Sequence, residues 1–176
     1  MNLTEMQGAV YILASLGYGA NKLDAFDDAE VNAGIEALNV VRCTSFVPVG
    51  PKGRWEINED PRLPRPVRNG EALLTAFEAA YSTSRYVSAV VAIGLNKGNS
   101  KPGIIMEYAK EGVTETDLER IAKETIQSAF QRRQHLGWEL EEIITKKIGG
   151  LPRERLMVCA LAAAILIPIE LTGYRA

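Results

Sequence analysis

Short apolar runs and two amphipathic stretches alternate along this chain. Each apolar run is rich in β-branched or aromatic residues and is bounded by Gly, Pro, Asn or charged residues, which is typical of strands. Strands are predicted at residues 9–16, 39–47, 86–95, 104–109, 138–147 and 156–169. Helices are predicted at residues 24–38 and 114–137. This order of elements predicts one α/β domain that contains a substantial sheet.

The helix at 114–137 has the clearest boundaries. Thr114 and Asp117 match a capping box, and Gly137 suits the left-handed conformation that ends many helices. Its apolar stripe consists of Leu118, Ile121, Ile126, Ala129 and Phe130. The helix at 24–38 has Asp24 as its predicted cap and a weaker apolar face.

Two segments do not fit the simple alternation. Residues 50–70 are rich in Pro, Gly and charge, which predicts a long loop. Residues 71–82 read EALLTAFEAAYS, and their helix propensity alone favours a helix.

Length and charge restrict the classes of function. The 176 residues fit a single domain spanning 1–176. Lys and Arg total 20 against 22 for Asp and Glu, so no basic excess indicates a nucleic-acid or anionic-lipid surface. The apolar run 156–169 is short for a membrane span and contains a proline, and no charged leader precedes residues 9–16. We therefore expect a cytoplasmic protein that binds neither nucleic acid nor membrane.

The spacing of the residues supports neither a metal site nor a catalytic triad of the serine-protease type. Cys43 and Cys159 lack metal-ligand spacing, and His135 is the only histidine. His135 also lies at the end of an amphipathic helix, where a solvated or C-capping role is typical. We expect no metal.

The run VVRCTSFVPVG at 40–50 places Cys43, Thr44 and Ser45 consecutively in an apolar segment. Without a histidine base, one reaction remains open to the Ser45 hydroxyl. It can add to the Thr44 carbonyl if the peptide is strained and the oxyanion is held. Either this chemistry or an ordinary Thr-Ser pair in a strand is compatible with the segment alone.

Four motifs in order resemble pyruvoyl-dependent arginine decarboxylases. The motifs are LDAFDDAEVNAGIEALNVVRCTSFVP (23–48), PGIIMEYA (102–109), the 114–147 stretch ending in LGWELEEI, and MVCALAAAILIP (157–168). The match covers most of the chain outside residues 49–85. Residues 49–70 differ from the family, since they carry Lys, Arg and Trp55 where a Pro-rich acidic loop is common.

The resemblance implies a cofactor made by the chain itself. Self-cleavage between Thr44 and Ser45 would give a β chain of residues 1–44 and an α chain of residues 45–176. Ser45 would become a covalent pyruvoyl group whose ketone condenses with the amine of the substrate and accepts electrons from its leaving carboxylate. The implied reaction is conversion of L-arginine to agmatine and CO2, with no metal.

Roles for individual side chains also follow from the resemblance. Glu107 would donate a proton to the decarboxylated carbon, and its alternation with Ile105 on a strand predicts an inward carboxyl. Asp27 would receive the substrate guanidinium, and Asn39 and Thr44 would assist self-processing.

The implied fold is a four-layer αββα sandwich, with two packed sheets between helices and residues 71–82 as a strand. Homo-oligomers, either trimers or hexamers of paired trimers, are implied as well. On a straight strand Asn39 and Ser45 would share one face but lie roughly 20 Å apart at about 3.3 Å per residue. If both serve one site, either a bulge folds the strand back or the site is shared across a subunit interface, and we favour the interface.

Two other functions remain open at the level of sequence. One keeps the pyruvoyl chemistry but changes the amino acid, because residues 49–70 depart from the family. The other is an oligomeric scaffold that is not cleaved and does not catalyse a reaction.

Overall fold

The fold was analysed in a computed structural model, which describes residues 5–43, 46–60 and 69–168. The described elements, in chain order, are β1 (Gly8–Gly19), α1 (Lys22–Ala33), β2 (Asn39–Arg42), β3 (Phe46–Val47), β4 (Val49–Gly50), β5 (Gly53–Arg54), β6 (Glu56–Asn58), β7 (Ala72–Ser82), β8 (Val87–Asn96), β9 (Gly103–Glu111), α2 (Glu115–Gln131), β10 (Leu140–Gly150) and β11 (Met157–Pro168). A short 3-10 helix, Gln134–Leu136, follows α2.

The strands form two main sheets. Sheet A has the strand order β2-β7-β11-β1-β6, and sheet B has the order β10-β8-β9-β3. In sheet A, β1 and β11 are antiparallel, whereas β2 runs parallel to β7. In sheet B, β9 pairs with both β8 and β3 in antiparallel register. The pair β4 and β5 forms a separate small hairpin.

Three layers of apolar side chains hold the two sheets and the two helices together. One cluster lies between sheets A and B, a second between sheet A and α1, and a third between sheet B and α2. The result is the four-layer αββα sandwich that the sequence resemblance implied.

The central strand β11 shows why the middle layers are buried on both faces. Ala160, Ala162 and Ala164 pack between the sheets, while Leu161 and Ile165 pack under α1. Small side chains on one face let the sheets approach closely, and larger ones on the other fill the space beneath the helix.

Two glycines of β1 allow α1 to lie close to sheet A. A Cβ at Gly17 would come within 2.2 Å of the Ala29 backbone nitrogen, and one at Gly19 within 2.3 Å of the Ala25 nitrogen. Gly17 and Gly19 therefore belong to the strand and serve helix packing.

The helix predictions are confirmed with adjusted ends. Thr114 caps α2 by accepting a hydrogen bond from the Asp117 N–H at 3.1 Å. The cap of α1 is Asn21, which accepts from two backbone N–H groups, so the prediction of Asp24 as the cap was wrong. Gly34, with φ of 72°, ends α1 four residues before the predicted position.

Tertiary pairing determines the structure of three further segments. Residues 39–47 do not form one strand, because β2 belongs to sheet A and β3 to sheet B. The predicted loop 50–70 contains β5 and β6 in its described part, and residues 61–68 lie outside the described residues. Segment 71–82 is the strand β7, as the resemblance implied, because it pairs with β11 on one side and β2 on the other.

Trp55 has a packing role. Its side chain is buried in the core between the sheets, and its indole N–H donates to the Met6 carbonyl at 3.0 Å. This residue therefore does not give the 49–70 segment a different surface for substrate.

Neither α1 nor α2 is long and apolar enough to cross a membrane, and no other helix in the described part of the chain is either.

Candidate active site

The described residues on either side of the predicted cleavage pair belong to different sheets. Cys43 donates its backbone N–H to the Thr75 carbonyl at 3.0 Å and so remains attached to sheet A. Phe46 pairs with Ile104 of β9 in sheet B. Thr44 and Ser45 lie outside the described residues. Their position in the chain makes them the link between the edge strands β2 and β3.

Glu107 lies on the inner face of sheet B, at the same edge of the sandwich. It stands between Ile105 and Ala109 on β9, and both of these neighbours contribute to the core between the sheets. Alternate residues of a strand share a face, so the Glu107 side chain points toward sheet A. The sequence prediction of an inward carboxyl agrees with this placement.

The surroundings of Glu107 favour its protonated form. Burial raises the pKa of its carboxyl, and the negative charge of Glu78 raises the pKa further. The Arg42 guanidinium and a backbone hydrogen bond oppose this shift, but the net direction is upward. Glu107 thus keeps its proton more readily than an exposed glutamate does.

Cys43 connects Glu107 to the end of β2. Burial raises the pKa of the Cys43 thiol, and the charge of Glu107 raises it as well. The Glu107 carboxyl is therefore within electrostatic range of the residue that immediately precedes the predicted cleavage pair.

Arg42 and Glu78 are two charged residues of this region that sequence reasoning missed. Arg42 forms an ion pair with Glu78, and both side chains are partly exposed. Glu78 lies on the face of β7 that also carries Ala76 and Ala80, which pack toward sheet B. Only the parallel pairing of β2 with β7 brings these residues together, and the sequence contains no local signal for that pairing.

Within one chain, the fold does not place Asp27 near Glu107. It is an exposed residue of α1, the helix that covers the outer face of sheet A. The charge of Asp27 acts on Glu30. Burial is the main cause that raises the pKa of Glu30, and the Asp27 charge raises it further. Sheet A lies between this helix and the inner face that carries Glu107.

Asn39 lies at the far end of β2 from Cys43. Its side-chain amide donates to the Gly70 carbonyl at 2.7 Å, and its backbone N–H donates to the Glu71 carbonyl at 2.9 Å. Asn39 thereby attaches the start of β2 to the start of β7. Four residues separate it from Cys43, about 13 Å along a strand, so the described chain does not bring Asn39 to the cleavage pair.

A cavity among the described residues lies at the opposite edge of the sandwich. It has a volume of about 720 Å³ and is lined by residues that include Gln7, Lys52, Arg54, Leu95 and Ile144. Strand β6 is the sheet A edge farthest from β2, and β10 is the sheet B edge farthest from β3. No predicted site residue lines this cavity, so we assign the candidate chemistry to the edge that carries Glu107.

The described residues 5–43, 46–60 and 69–168 contain no candidate metal site. Within them, no three His, Cys, Asp or Glu side chains are grouped as metal ligands would be. His135 is exposed in the 3-10 helix after α2.

Fold and site together define an αββα protein with a half-buried glutamate of raised pKa on β9, the strand that pairs with β3. The sequence profile of the family described as pyruvoyl-dependent arginine decarboxylase matches residues 9–170. The chain belongs to this family, which confirms the resemblance found in the sequence motifs.

Individual relatives agree with the family match. The pyruvoyl-dependent arginine decarboxylase of Methanococcus vannielii is 32% identical over 159 residues, covering 89% of this chain and 88% of the relative. That of Methanocaldococcus jannaschii is 31% identical over 164 residues, covering 92% and 91%. That of Pyrococcus furiosus is 30% identical over 159 residues, covering 89% and 93%. The similarity therefore extends over nearly the whole length of each protein.

Proposed function

We propose that this chain is a lyase that decarboxylates L-arginine to agmatine and CO2 with a pyruvoyl group formed from its own Ser45. Family membership supports the reaction class and the cofactor. The structural observation that carries the proposal is the position of Glu107 near Cys43, as a half-buried carboxyl whose pKa is raised by burial and by the charge of Glu78. A bound pyruvoyl ketone supplies an electron sink for the leaving carboxylate.

Self-cleavage at the Thr44–Ser45 bond is the proposed source of this group, with residues 1–44 and 45–176 as the products. Two observations support this position. The chain is attached to sheet A at Cys43 and to sheet B at Phe46, so each new end remains held by its own sheet after cleavage. The elements before the bond include β1, which pairs with both β11 and β6 and so remains inside sheet A.

Glu107 is the proposed proton donor to the carbon that loses CO2. A general acid must still carry its proton at the working pH, and burial beside Glu78 shifts the Glu107 pKa upward, which is the direction this role requires. Its inward direction from β9 aims the carboxyl at the space between the sheets, and β9 is also the strand with which Phe46 pairs.

Asp27 and Asn39 are proposed to act from a neighbouring subunit in a trimer or a hexamer of paired trimers. The exposure of Asp27 on α1 supports this assignment, since sheet A separates it from Glu107 of the same chain. The position of Asn39 at the far end of β2 supports the same arrangement. A carboxylate binds a guanidinium through two parallel hydrogen bonds, which suits Asp27 for the arginine side chain.

The cytoplasm is the proposed compartment. Cys43 and Cys159 are both free thiols, and a reducing environment keeps them so.

Intact mass spectrometry together with an agmatine assay tests the proposed function. The purified protein is expected to give two fragments of about a quarter and three-quarters of its mass, since 44 of its 176 residues precede Ser45. The large fragment is expected to react with carbonyl reagents, and the protein to release agmatine from L-arginine. Ser45→Ala is the matched control, which should stay intact and inactive. A wild-type chain that stays whole after long incubation would exclude the enzyme and favour the scaffold.

A further inference from the structure

Strands β7 and β9 face each other across the space between the two sheets, and a side-chain hydrogen bond joins their ends. The Ser82 hydroxyl donates to the Glu111 carboxylate at 2.8 Å. Ser82 is the last residue of β7, and Glu111 is the last residue of β9. Residues earlier in both strands pack in the same core cluster, so the two strands run side by side and in the same direction toward this contact.

Four residues before this contact, each strand carries a glutamate. These are Glu78 on β7 and Glu107 on β9, and each lies about 13 Å back from the joined ends at about 3.3 Å per residue. Alternate residues of a strand share a face, so both carboxyls point into the space between the sheets. The residues that flank them on the same faces belong to the core cluster: Ala76, Ala80, Ile105 and Ala109. Glu78 and Glu107 therefore face each other from opposite sheets.

Arg42 holds Glu78 from the neighbouring strand β2. Its guanidinium forms an ion pair with the Glu78 carboxylate and donates to the Phe77 carbonyl at 2.9 Å. The guanidinium carbon also lies 5.2 Å from the centre of the Phe77 ring, which adds a cation–π contact. These contacts hold the Glu78 carboxylate at this edge of the sandwich.

The other elements packed around Glu107 add no further charge among the described residues. Burial raises the pKa of the Cys43 thiol at the end of β2, so this thiol stays uncharged. The inward residues of β3, β8 and β11 are apolar, among them Val47, Val91 and Ala162. Val91 is the residue that pairs with Glu107, and Ala162 is the one that pairs with Glu78. Negative charge therefore reaches Glu107 from Glu78, and positive charge from Arg42.

We propose that Glu78 is a positioning residue for the general acid Glu107: it faces Glu107 across the space between the sheets and places a negative charge, held by Arg42, beside the carboxyl that donates the proton. This inference rests on the proposed function, since it concerns the proton donor of that reaction.

A negative charge beside the donor helps the donor to recover its proton after each turnover. In the donation step the Glu107 proton passes to the substrate carbon that has lost CO2, and the electron pair on that carbon forms the new C–H bond. A proton from water then restores the Glu107 acid. Like charges at one site repel, so the Glu78 charge disfavours the Glu107 carboxylate and favours its reprotonation. Burial is the main cause of the raised pKa of Glu107, and the charge of Glu78 is the second.

The first test follows the titration of the Glu107 carboxyl by carbon NMR in Ser45→Ala protein that carries isotope-labelled glutamate. Glu107→Gln in the same background identifies the signal. Glu78→Gln should lower the pKa of Glu107, because it removes the negative charge and keeps the shape of the side chain. Glu111→Gln is the matched control: it removes another carboxylate of β9, about 13 Å along the strand, and should leave the titration unchanged. An unmoved or raised pKa of Glu107 in Glu78→Gln would overturn the inference.

The second test separates the effect of charge from a loss of packing. In the cleaved enzyme, kcat should decline as the pH rises through the pKa of the donor, because the protonated form is then lost. Glu78→Gln should move this decline to lower pH, whereas Glu78→Asp keeps the charge and should stay closer to wild type. A merely structural role would lower kcat in both variants without moving the decline, and that result would overturn the inference.

The two tests also distinguish this inference from the proposed function, because the titration needs neither cleavage nor turnover. A wild-type chain that stays whole and releases no agmatine would overturn the proposed function, and the titration would still show whether Glu78 acts on Glu107. A chain that releases agmatine while Glu107 titrates alike with and without Glu78→Gln would overturn this inference alone.

Discussion

Cleavage of this chain should leave its small fragment locked inside the fold, and one core leucine tests that expectation. All twelve residues of β1 are in register with β11. Leu13 of β1 is 1% exposed and packs under α1. Truncation of a buried leucine to alanine typically costs about 2–5 kcal/mol. After cleavage the two fragments are held together by noncovalent contacts alone. The same free-energy cost then weakens the binding of one fragment to the other by roughly 30-fold to 5,000-fold.

The assay is size exclusion of the cleaved protein at increasing urea, with the small fragment followed on denaturing gels. Leu13→Ala should release residues 1–44 at clearly lower urea than wild type. Leu23→Ala is the matched control, because this leucine of α1 is 75% exposed, and its truncation should change stability by no more than about 0.5 kcal/mol. Equal release from the two variants, or loss of the fragment from wild type in dilute buffer, would refute the reasoning from burial.

Three further predictions concern the site. Glu107→Gln should cleave normally but decarboxylate about 10²–10⁴-fold more slowly, because an amide cannot donate the proton; full turnover would refute the assigned role. Glu78→Gln removes a charge that raises the pKa of Glu107. The pKa of Glu107 should then fall, and the pH above which kcat declines should move to lower values; an unmoved profile would show that Glu78 does not affect the donor. Co-expression of Asn39→Ala with Ser45→Ala chains, each inactive alone, should restore activity at roughly a quarter of interfaces in mixed trimers. Absence of activity in verified mixed trimers would exclude action of Asn39 across an interface.

Several features of the fold were predictable from local pattern. The start of α2 follows from Thr114 and Asp117, whose capping contacts involve residues three apart. The buried strand β8 follows from an unbroken apolar run. The inward direction of Glu107 follows from its alternation with Ile105. Each of these features depends on residues that are close together in the chain, so the local sequence is sufficient to predict it.

The motifs also led to the family before any fold was known. The resemblance to this family implied the four-layer sandwich and a strand at 71–82, a segment whose own helix propensity indicated the opposite. Helix propensity did not determine the structure here, because β7 pairs with β11 across nine residue pairs. The hydrogen bonds and packing of that pairing outweigh a helix preference of a few tenths of a kcal/mol per residue.

The sequence by itself therefore determined which segments are apolar, where α2 begins and which glutamate points inward. Only the tertiary structure decided that residues 39–47 divide between two sheets and that Arg42 meets Glu78 at the point of division. It also decided that Asp27 lies behind sheet A and that Trp55 is core. The physical reason is the same in each case. These arrangements depend on strand pairing and layer packing between residues far apart in the chain, and no local periodicity records which distant strand a segment will join.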